Sequence, residues 1–460
     1  MKHRLSGGSR EAATLSVPRP FKNSSVHSAS RPRVRSWREA LALFAPIFTA
    51  PAFAIFQELL TAWVVCPARR TVTGMMRGGG LVTRRPHDAY HQLVRSASWS
   101  LDELWTLTAL LLVRLFAPEG RIDLLTDDTL LHRGGREIEG AGVFRDAVRS
   151  GGKSVVYDRG LNLVPLTLRV RPPWGGEPLA LPLAMRLYRK HGPTHLDLVA
   201  QMVQRLAGLL PDRTFPLIAD GAYAPLAGWK LPRTEVTSRL RKDAALYAPP
   251  APRKPGQVGR PRKKGRRLPC PKAWARRTKK GWKLTWVDRR GKMAQRLLLS
   301  RDAFWYHVCP DRLVRVVVSR DPKGREKDDV FFTTDLTMAP GAVVSHYFGR
   351  WPVEDTFRNC KQSRGAEEPQ TWKGKGPERA ATLAFWTYSM IWVWYLETQG
   401  PRPTVPKLPW YPKKERPSFV DAVSALRGEL WREEISARCG ETPHLRKITR
   451  PLVEVLALSR

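Results

Sequence analysis

From Trp37 to about Phe116 apolar residues recur at helical spacing, and the pattern predicts a run of helices. Ser36 stands where an N-cap belongs. Ser100 precedes LDELWTLTALLLVRLF, with Glu103 placed three residues on as a capping box requires. The uncharged stretch ALALFAPIFTAPAFAIF is slightly short for a bilayer span and carries Pro46 and Pro51. It predicts two short core helices broken near the prolines, not a membrane helix or a signal peptide. The pattern then changes. RIDLLTDD is an apolar run ending in two acids, and Val155–Tyr157 and Leu163–Val170 read as further strands. THLDLVAQMVQRLAGLL is an amphipathic helix through Leu196, Val199, Val203 and Leu206, and TFPLIADGAY is a second apolar run ending in an acid. Strands alternating with a helix predict an α/β fold, a mixed sheet covered by helices.

Two hairpins follow. KLTWVDRRGKMAQRLLLS turns at Arg290-Gly291, and LVRVVVSRDPKGREKDDVFFTTD turns at Pro322-Lys323-Gly324. Before them lies a Pro/Gly/Arg/Lys tract, YAPPAPRKPGQVGRPRKKGRRLPCPKAWARRTKK, which predicts an exposed loop suited to non-specific phosphate binding. After them comes a Trp- and Tyr-rich apolar helix, ATLAFWTYSMIWVWYLE, and then a Pro-rich tail that turns helical.

Charge narrows the function. Lys and Arg number 79 against 41 Asp and Glu, a formal net charge of +38. That excess favours a polyanionic partner, nucleic acid before an anionic membrane. The 17 Trp and 15 Phe argue against wholesale disorder. Cys66, Cys270, Cys309, Cys360 and Cys439 are too scattered for a CxxC metal site or a disulfide framework.

One stretch carries an unusual stripe. In YFGRWPVEDTFRNCK, residues Tyr347, Arg350, Glu354 and Lys361 fall at helical spacing, so one face holds a phenol, two cations and a carboxylate. Val353, Phe357 and Cys360 form a separate apolar seam for packing. Pro352 suits a first helical turn, which allows a kink after Arg350. The bland alternative is a solvated face laced with i,i+4 ion pairs.

The acids at the ends of the apolar runs give the stripe a purpose. Asp127, Asp128 and Asp220 sit where crevices open in α/β sheets, and Glu354 sits on the polar helix face. Carboxylate oxygens suit Mg²⁺, and two such ions can clamp the attacking and leaving oxygens of a displacement at phosphorus. Arg350 and Lys361 would then hold phosphates, and Tyr347 would bond a phosphate or stack on a displaced base. His87 and His91, at i,i+4, lack a third ligand for zinc. Asp329 and Asp335 lie within the hairpin region and rank below Asp220, and Asp355 points away from Glu354.

These residues resemble the DDE transposases of bacterial insertion sequences, in the branch with a Tyr-x2-Arg-x3-Glu-x6-Lys signature, which Tyr347, Arg350, Glu354 and Lys361 match at every spacing. Asp127-Asp128-Thr129 supplies the Asp-x-Thr context of the family's first acid, favouring Asp127 over Asp128, and LIADGAY supplies the second at Asp220. RRTVTGM and YHQLVRSASW resemble the family's amino-terminal domain. The resemblance implies a ribonuclease H-like catalytic core with a β-rich insertion, preceded by an α-helical DNA-binding domain. The expected divisions are a basic tail over 1–33, the helical domain over 34–116, the core over 117–229 and 340–398, the insertion over 230–339, and a C-terminal tail over 399–460 involved in dimerisation. It further implies Asp127, Asp220 and Glu354 as catalytic ligands of two Mg²⁺ ions, with Mn²⁺ as a substitute. Partners would be double-stranded DNA, as terminal inverted repeats and target, and a second copy in a paired-end complex, with no membrane. The setting would be the bacterial cytoplasm, near the nucleoid. Trp282, Trp286 and Trp305 are candidates to receive a flipped base. The alternatives are a catalytically inactive or domesticated DNA-binding relative and a structural or membrane-associated basic protein.

Overall fold

The computed structural model describes residues 34–151, 154–252, 258–407, 409–440 and 442–458. The expected basic tail, 1–33, lies outside the described residues. Five α-helices come first among the described residues: α1 (Trp37–Ala42), α2 (Ala50–Val65), α3 (Val72–Gly78), α4 (His87–Arg95) and α5 (Leu101–Phe116). The caps lie where the serines predict them. Ser36 Oγ accepts the Glu39 N–H, and Ser100 Oγ accepts the Glu103 N–H. The proline-containing apolar stretch is broken as expected: a single 3₁₀ turn, Ala45–Ile47, separates α1 from α2. Pro46 and Pro51 occupy first turns, where a missing N–H costs nothing. No helix among the described residues is long and apolar enough to cross a membrane.

The strands are β1 (Leu124–Thr126), β2 (Thr129–His132), β3 (Gly142–Arg145), β4 (Tyr157–Val170), β5 (Leu179–Tyr188), β6 (Phe215–Ala219) and β7 (Thr234–Arg239). Helix α6 (His195–Leu209) crosses from β5 to β6 and starts with a Thr194/Asp197 capping box. Helix α7 (Pro271–Arg277) precedes the hairpin strands β8 (Lys283–Arg289), β9 (Lys292–Trp305), β10 (Cys309–Arg320) and β11 (Asp329–Thr333). All join one mixed 11-stranded sheet, ordered β2-β4-β1-β6-β7-β11-β10-β9-β8, with β3 and β5 also paired to β4. The hairpins turn where the sequence places them: Arg290 and Gly291 take φ of 60° and 74°, and Gly324 takes 68°. Their strands do not stand apart from the sheet. β11 pairs with β7, and β7 runs parallel to β6.

One register places the site. β1 and β2 lie along the same edge of β4, with Thr126 opposite Leu166 and Thr129 opposite Leu163. Pairing lapses only at Asp127 and Asp128, across from Val164 and Pro165. Proline has no N–H to give a ladder, and the Pro165 carbonyl is taken by the Thr126 hydroxyl at 2.9 Å. The chain thus presents its two acids at a gap in an otherwise continuous strand. β6 runs parallel to β1 and ends level with it, Thr126 opposite Ala219.

The polar stripe spans two helices, α8 (Pro340–Phe348) and α9 (Pro352–Gln362). Tyr347 is in the last turn of α8, Arg350 lies in the intervening turn, and Glu354 and Lys361 are on α9. The kink that Pro352 allows is therefore present, and the stripe is not one continuous helix face.

Helix α10 (Gly376–Thr398) is buried over almost its whole length, which explains its aromatic sequence. It forms the floor that the amino-terminal helices share with the sheet in one hydrophobic core. Helices α11 (Phe419–Cys439) and α12 (Pro443–Ala457) follow α10. Buried Arg427 of α11 donates to the carbonyls of Val64 and Cys66 at 2.7 Å, tying the C-terminal region to the end of α2.

Trp386 is the clearest joint between these layers. It is fully buried, meets Phe44 edge-on at 4.8 Å, and its Nε1 donates to Thr108 Oγ1 at 2.9 Å. Trp386→Ala should cost about 3–5 kcal/mol of stability. Because the helices and the sheet share this core, denaturant unfolding followed by far-UV and near-UV circular dichroism should shift as one transition. Separate transitions would show that the helical region folds independently.

Candidate active site

Asp127 and Asp220 are the first residues beyond Thr126 and Ala219, the last register pair of two adjacent parallel strands. Strands so paired lie about 4.8 Å apart, so topology alone brings these carboxylates together across a long stretch of sequence. Asp220 also caps the 3₁₀ segment Gly221–Gly228: its carboxylate accepts the Gly221 N–H, and its carbonyl accepts the Ser238 hydroxyl at 2.8 Å. Asp128 turns the other way. It accepts from the Tyr223 hydroxyl at 3.3 Å and from Asn162 Nδ2 at 3.4 Å, and His195 Nε2 lies 4.0 Å away.

The third acid arrives through Arg350. This guanidinium, 9% exposed, donates through Nη1 to Asp127 and through Nη2 to Glu354 at 3.0 Å. Its Nε has no partner among the described residues. Arg350 reaches the strand ends because α8 stops at Gly349 and α9 restarts at Pro352. Glu354 then falls in the first turn of α9, where the helix dipole favours an anion.

Burial pushes the Asp127 carboxyl up to about 7; Arg350 pulls it down, and Asp128 and Asp220 add like-charge repulsion. For Arg350 burial works against the charge, but Asp127, Glu354 and Asp220 more than offset it and hold the group cationic. Burial likewise raises the Tyr223 hydroxyl, with Asp128 and Asp127 adding to the effect. The cluster is thus short of positive charge, and a buried arginine supplies what there is.

Lys361 lies farther along β2. Its Nζ donates to the Leu130 carbonyl of β2 at 2.8 Å, and burial lowers its pKa while Glu367 and Asp146 oppose the shift. Tyr347 is 7% exposed and packs on Phe331 at 4.8 Å, with the Arg239 and Arg350 guanidiniums each 5.9 Å from its ring centroid. Its ring is core, not a free platform for a base. Trp305 is also core, edge-on to Phe332 at 5.3 Å. Trp282 is half-buried beneath Arg320, whereas Trp286 is 59% exposed on β8. Asp355 pairs with Arg358, away from the acids. Asp335 holds Thr337 in its own turn, and Asp329 pairs with Arg239.

Three residues at the site carried no sequence expectation, among them Asn162 on β4. Tyr223 lies in the quoted LIADGAY run, three residues after Asp220, a one-turn spacing that could have flagged it. His195 is the first residue of α6 and stacks on Tyr188 at 3.8 Å, which no local pattern announces.

The acids surround Arg350 without closing on one point. The group among the described residues whose ligand atoms all lie within 4.8 Å of one another is a different one: His132, Asp146 and Asp158. It is already satisfied as an ion-pair network. His132 Nε2 meets Asp146 at 2.8 Å and Nδ1 meets Glu367 at 3.0 Å. Arg149 holds Asp158 at 2.7 Å, and the Val148 and Arg149 N–H groups satisfy Asp146. The His87 and His91 rings lie 4.5 Å apart, tilted, and His87 bonds Thr73 at 3.0 Å, with no third ligand among the described residues.

A family profile described as DDE superfamily endonuclease matches residues 43–293, a span that holds Asp127, Asp128 and Asp220 and ends before Glu354. No curated protein matches in sequence. Among solved structures, the piggyBac transposase synaptic complex with hairpin DNA is similar at 12% identity and a TM-score of 0.39, covering 95% of this chain and 79% of that one. With more than half its length matched, and with two strand-end aspartates side by side inside the match, the chain belongs to the DDE superfamily of endonucleases.

Proposed function

We propose that this protein is a DNA transposase of a bacterial insertion sequence, cutting the element's ends and joining the freed 3′-hydroxyl to target DNA. The observation that carries the reading is the Arg350 bridge: one buried cation held between Asp127 and Glu354, with Asp220 on the neighbouring strand. A donor set of carboxylate oxygens around a place that already attracts positive charge fits Mg²⁺ or Mn²⁺, and Asp127, Asp220 and Glu354 would hold the ions. When bound, such ions supply charge neutralisation for the attacking and leaving oxygens at phosphorus.

The chain's own groups do the rest. Arg350, released from Asp127, turns its fork to the phosphate being cut, a bidentate geometry suited to phosphate oxygens. Lys361 holds the strand on the β2 side of the acids. Tyr223 and Asn162 keep Asp128 turned from the centre, so that Asp127 is the acid aimed at Arg350. Each cut and join is the same displacement at phosphorus, so one site serves them all. The core of this reading is a ribonuclease H-like fold over 117–229 and 340–398, with two copies pairing the element's ends. The net charge of +38 supplies the attraction to DNA. Trp286, on an exposed strand face, is the tryptophan placed to take a flipped base.

In a nicking assay on a labelled inverted-repeat duplex with Mg²⁺, Asp220→Asn should lose at least about a hundredfold in rate, the upper end of what loss of even an indirect metal partner costs. Its DNA affinity in EDTA should be unchanged. Nicking at the wild-type rate would sink the metal assignment. Binding without nicking by the wild type would favour the inactive relative.

The raised Asp127 carboxyl makes a second test, in metal-free protein. A folded-state pKa above the ordinary 3.8 contributes stability that is full at low pH and lost as pH rises through about 7. In EDTA the Tm of the wild type should therefore fall relative to Asp127→Asn as pH rises across that window, and Mg²⁺ should restore more of it above the window than within it. Parallel Tm curves for the two proteins would contradict this.

A further inference from the structure

A cleft of about 520 Å³ opens at the far end of β2, lined by Arg69, Arg133, Arg136, Thr371 and Trp372 among others. Its walls come from three parts of the chain: the segment after α2, the loop leaving β2, and the segment before α10. Arg133 is 6% exposed; Nη2 donates to the Thr371 carbonyl at 2.9 Å, and Nη1 has no partner among the described residues. Thr371 Oγ1 is also buried without one. Burial lowers the Arg133 pKa, and nearby Arg69 lowers it further. Two of the carboxylates lining the cleft are committed elsewhere: Glu367 to the His132 N–H and ring, and Glu368 to Arg70. Glu137, exposed, is the third. What remains open is the pair of buried groups, Arg133 Nη1 and Thr371 Oγ1, which a phosphate oxygen entering the cleft would satisfy.

Trp372 forms the outer wall, 49% exposed, with Lys373 Nζ 4.5 Å from its ring centroid. An exposed indole beside unpartnered guanidinium groups suits a base and its phosphate together. The place is also in line with the acids. β1 and β2 follow one edge of β4 in constant register, so the chain from Asp127 to Arg133 runs nearly straight. At about 3.3 Å per residue it covers about 20 Å, the length of about six stacked nucleotides. Lys361, on the Leu130 carbonyl, lies between the two ends.

We propose that this cleft is a second DNA subsite: Arg133, Arg69 and Arg136 take a backbone phosphate several nucleotides from the scissile one, and Trp372 stacks the unpaired base attached to it. The ligand class is a DNA strand with its end opened, running from the acids along β2. The proposal rests on the reading that the acids act on DNA.

The test uses full-length protein in EDTA, so that binding is read without cutting. The probes are a fluorescein-labelled duplex with a single-stranded tail and the same duplex blunt. Arg69, Arg136 and Trp372 are exposed, so their alanine variants should fold. Arg69→Ala/Arg136→Ala should lower the slope of log affinity against log salt by about 1 to 2 on the tailed duplex. Trp372→Ala should weaken the tailed duplex about tenfold and leave the blunt one unchanged. Wild-type slope and affinity in both variants, on DNA that the wild type binds tightly, would overturn the subsite alone. Equal weakening on both probes by Trp372→Ala would overturn the stacked base. A wild type that binds neither probe in a salt-dependent way would bring down the DNA reading and the subsite with it.

Discussion

The structure turns on one electrostatic constraint: carboxylates gathered at the ends of adjacent parallel strands need a cation. Asp127 and Asp220 are side by side because β1 and β6 are paired in parallel and end level. Burial and mutual repulsion would make that costly, and the Asp127 carboxyl is correspondingly pushed up to about 7. Arg350 is the chain's answer. It is buried, it touches Asp127 and Glu354, and it comes from the break between α8 and α9, whose position puts Glu354 in a first helical turn. A cluster of acids that draws in its own arginine is one in which a divalent ion would be more at home, because it brings two charges and needs no buried side chain.

Much of this was legible in the sequence, for identifiable reasons. The acids stand at the ends of apolar runs, and a strand that dives into a core must surface somewhere; its first polar residues mark the place. Tyr347, Arg350, Glu354 and Lys361 keep helical spacing across the break, so the signature survives a kink that Pro352 foreshadowed. The turns at Arg290-Gly291 and Gly324 follow from residues that tolerate positive φ. The spans Val155–Tyr157 and Leu163–Val170 merge into β4, however, and β2, β3, β5 and β7 were not foreseen. β4 and β5 are buried on both faces over much of their length and show no clean alternation.

What the sequence could not show was long-range. Pro165 interrupts pairing opposite Asp127 only because β4 runs past in that register. His195 meets Asp128 only because α6 starts there. The ring of Tyr347 looked free on a helical wheel, yet the second small core, with Phe331 and Val343, closes over it. A helical projection says which residues share a face, not whether another layer covers that face. The strands of the expected insertion show the same limit: their hairpins were plain, but their continuity with β7 and so with β6 was not.

The central claim is that Asp127, Asp220 and Glu354 form a divalent-cation site for which Arg350 stands in. The most direct measurement is anomalous scattering from crystals of the protein soaked in Mn²⁺. The expected map has its strongest peak among these carboxylates, with the Arg350 guanidinium moved off Asp127. A peak at His132, Asp146 and Asp158 with Arg350 still bridging Asp127 and Glu354, or no peak at the acids at all, would contradict it.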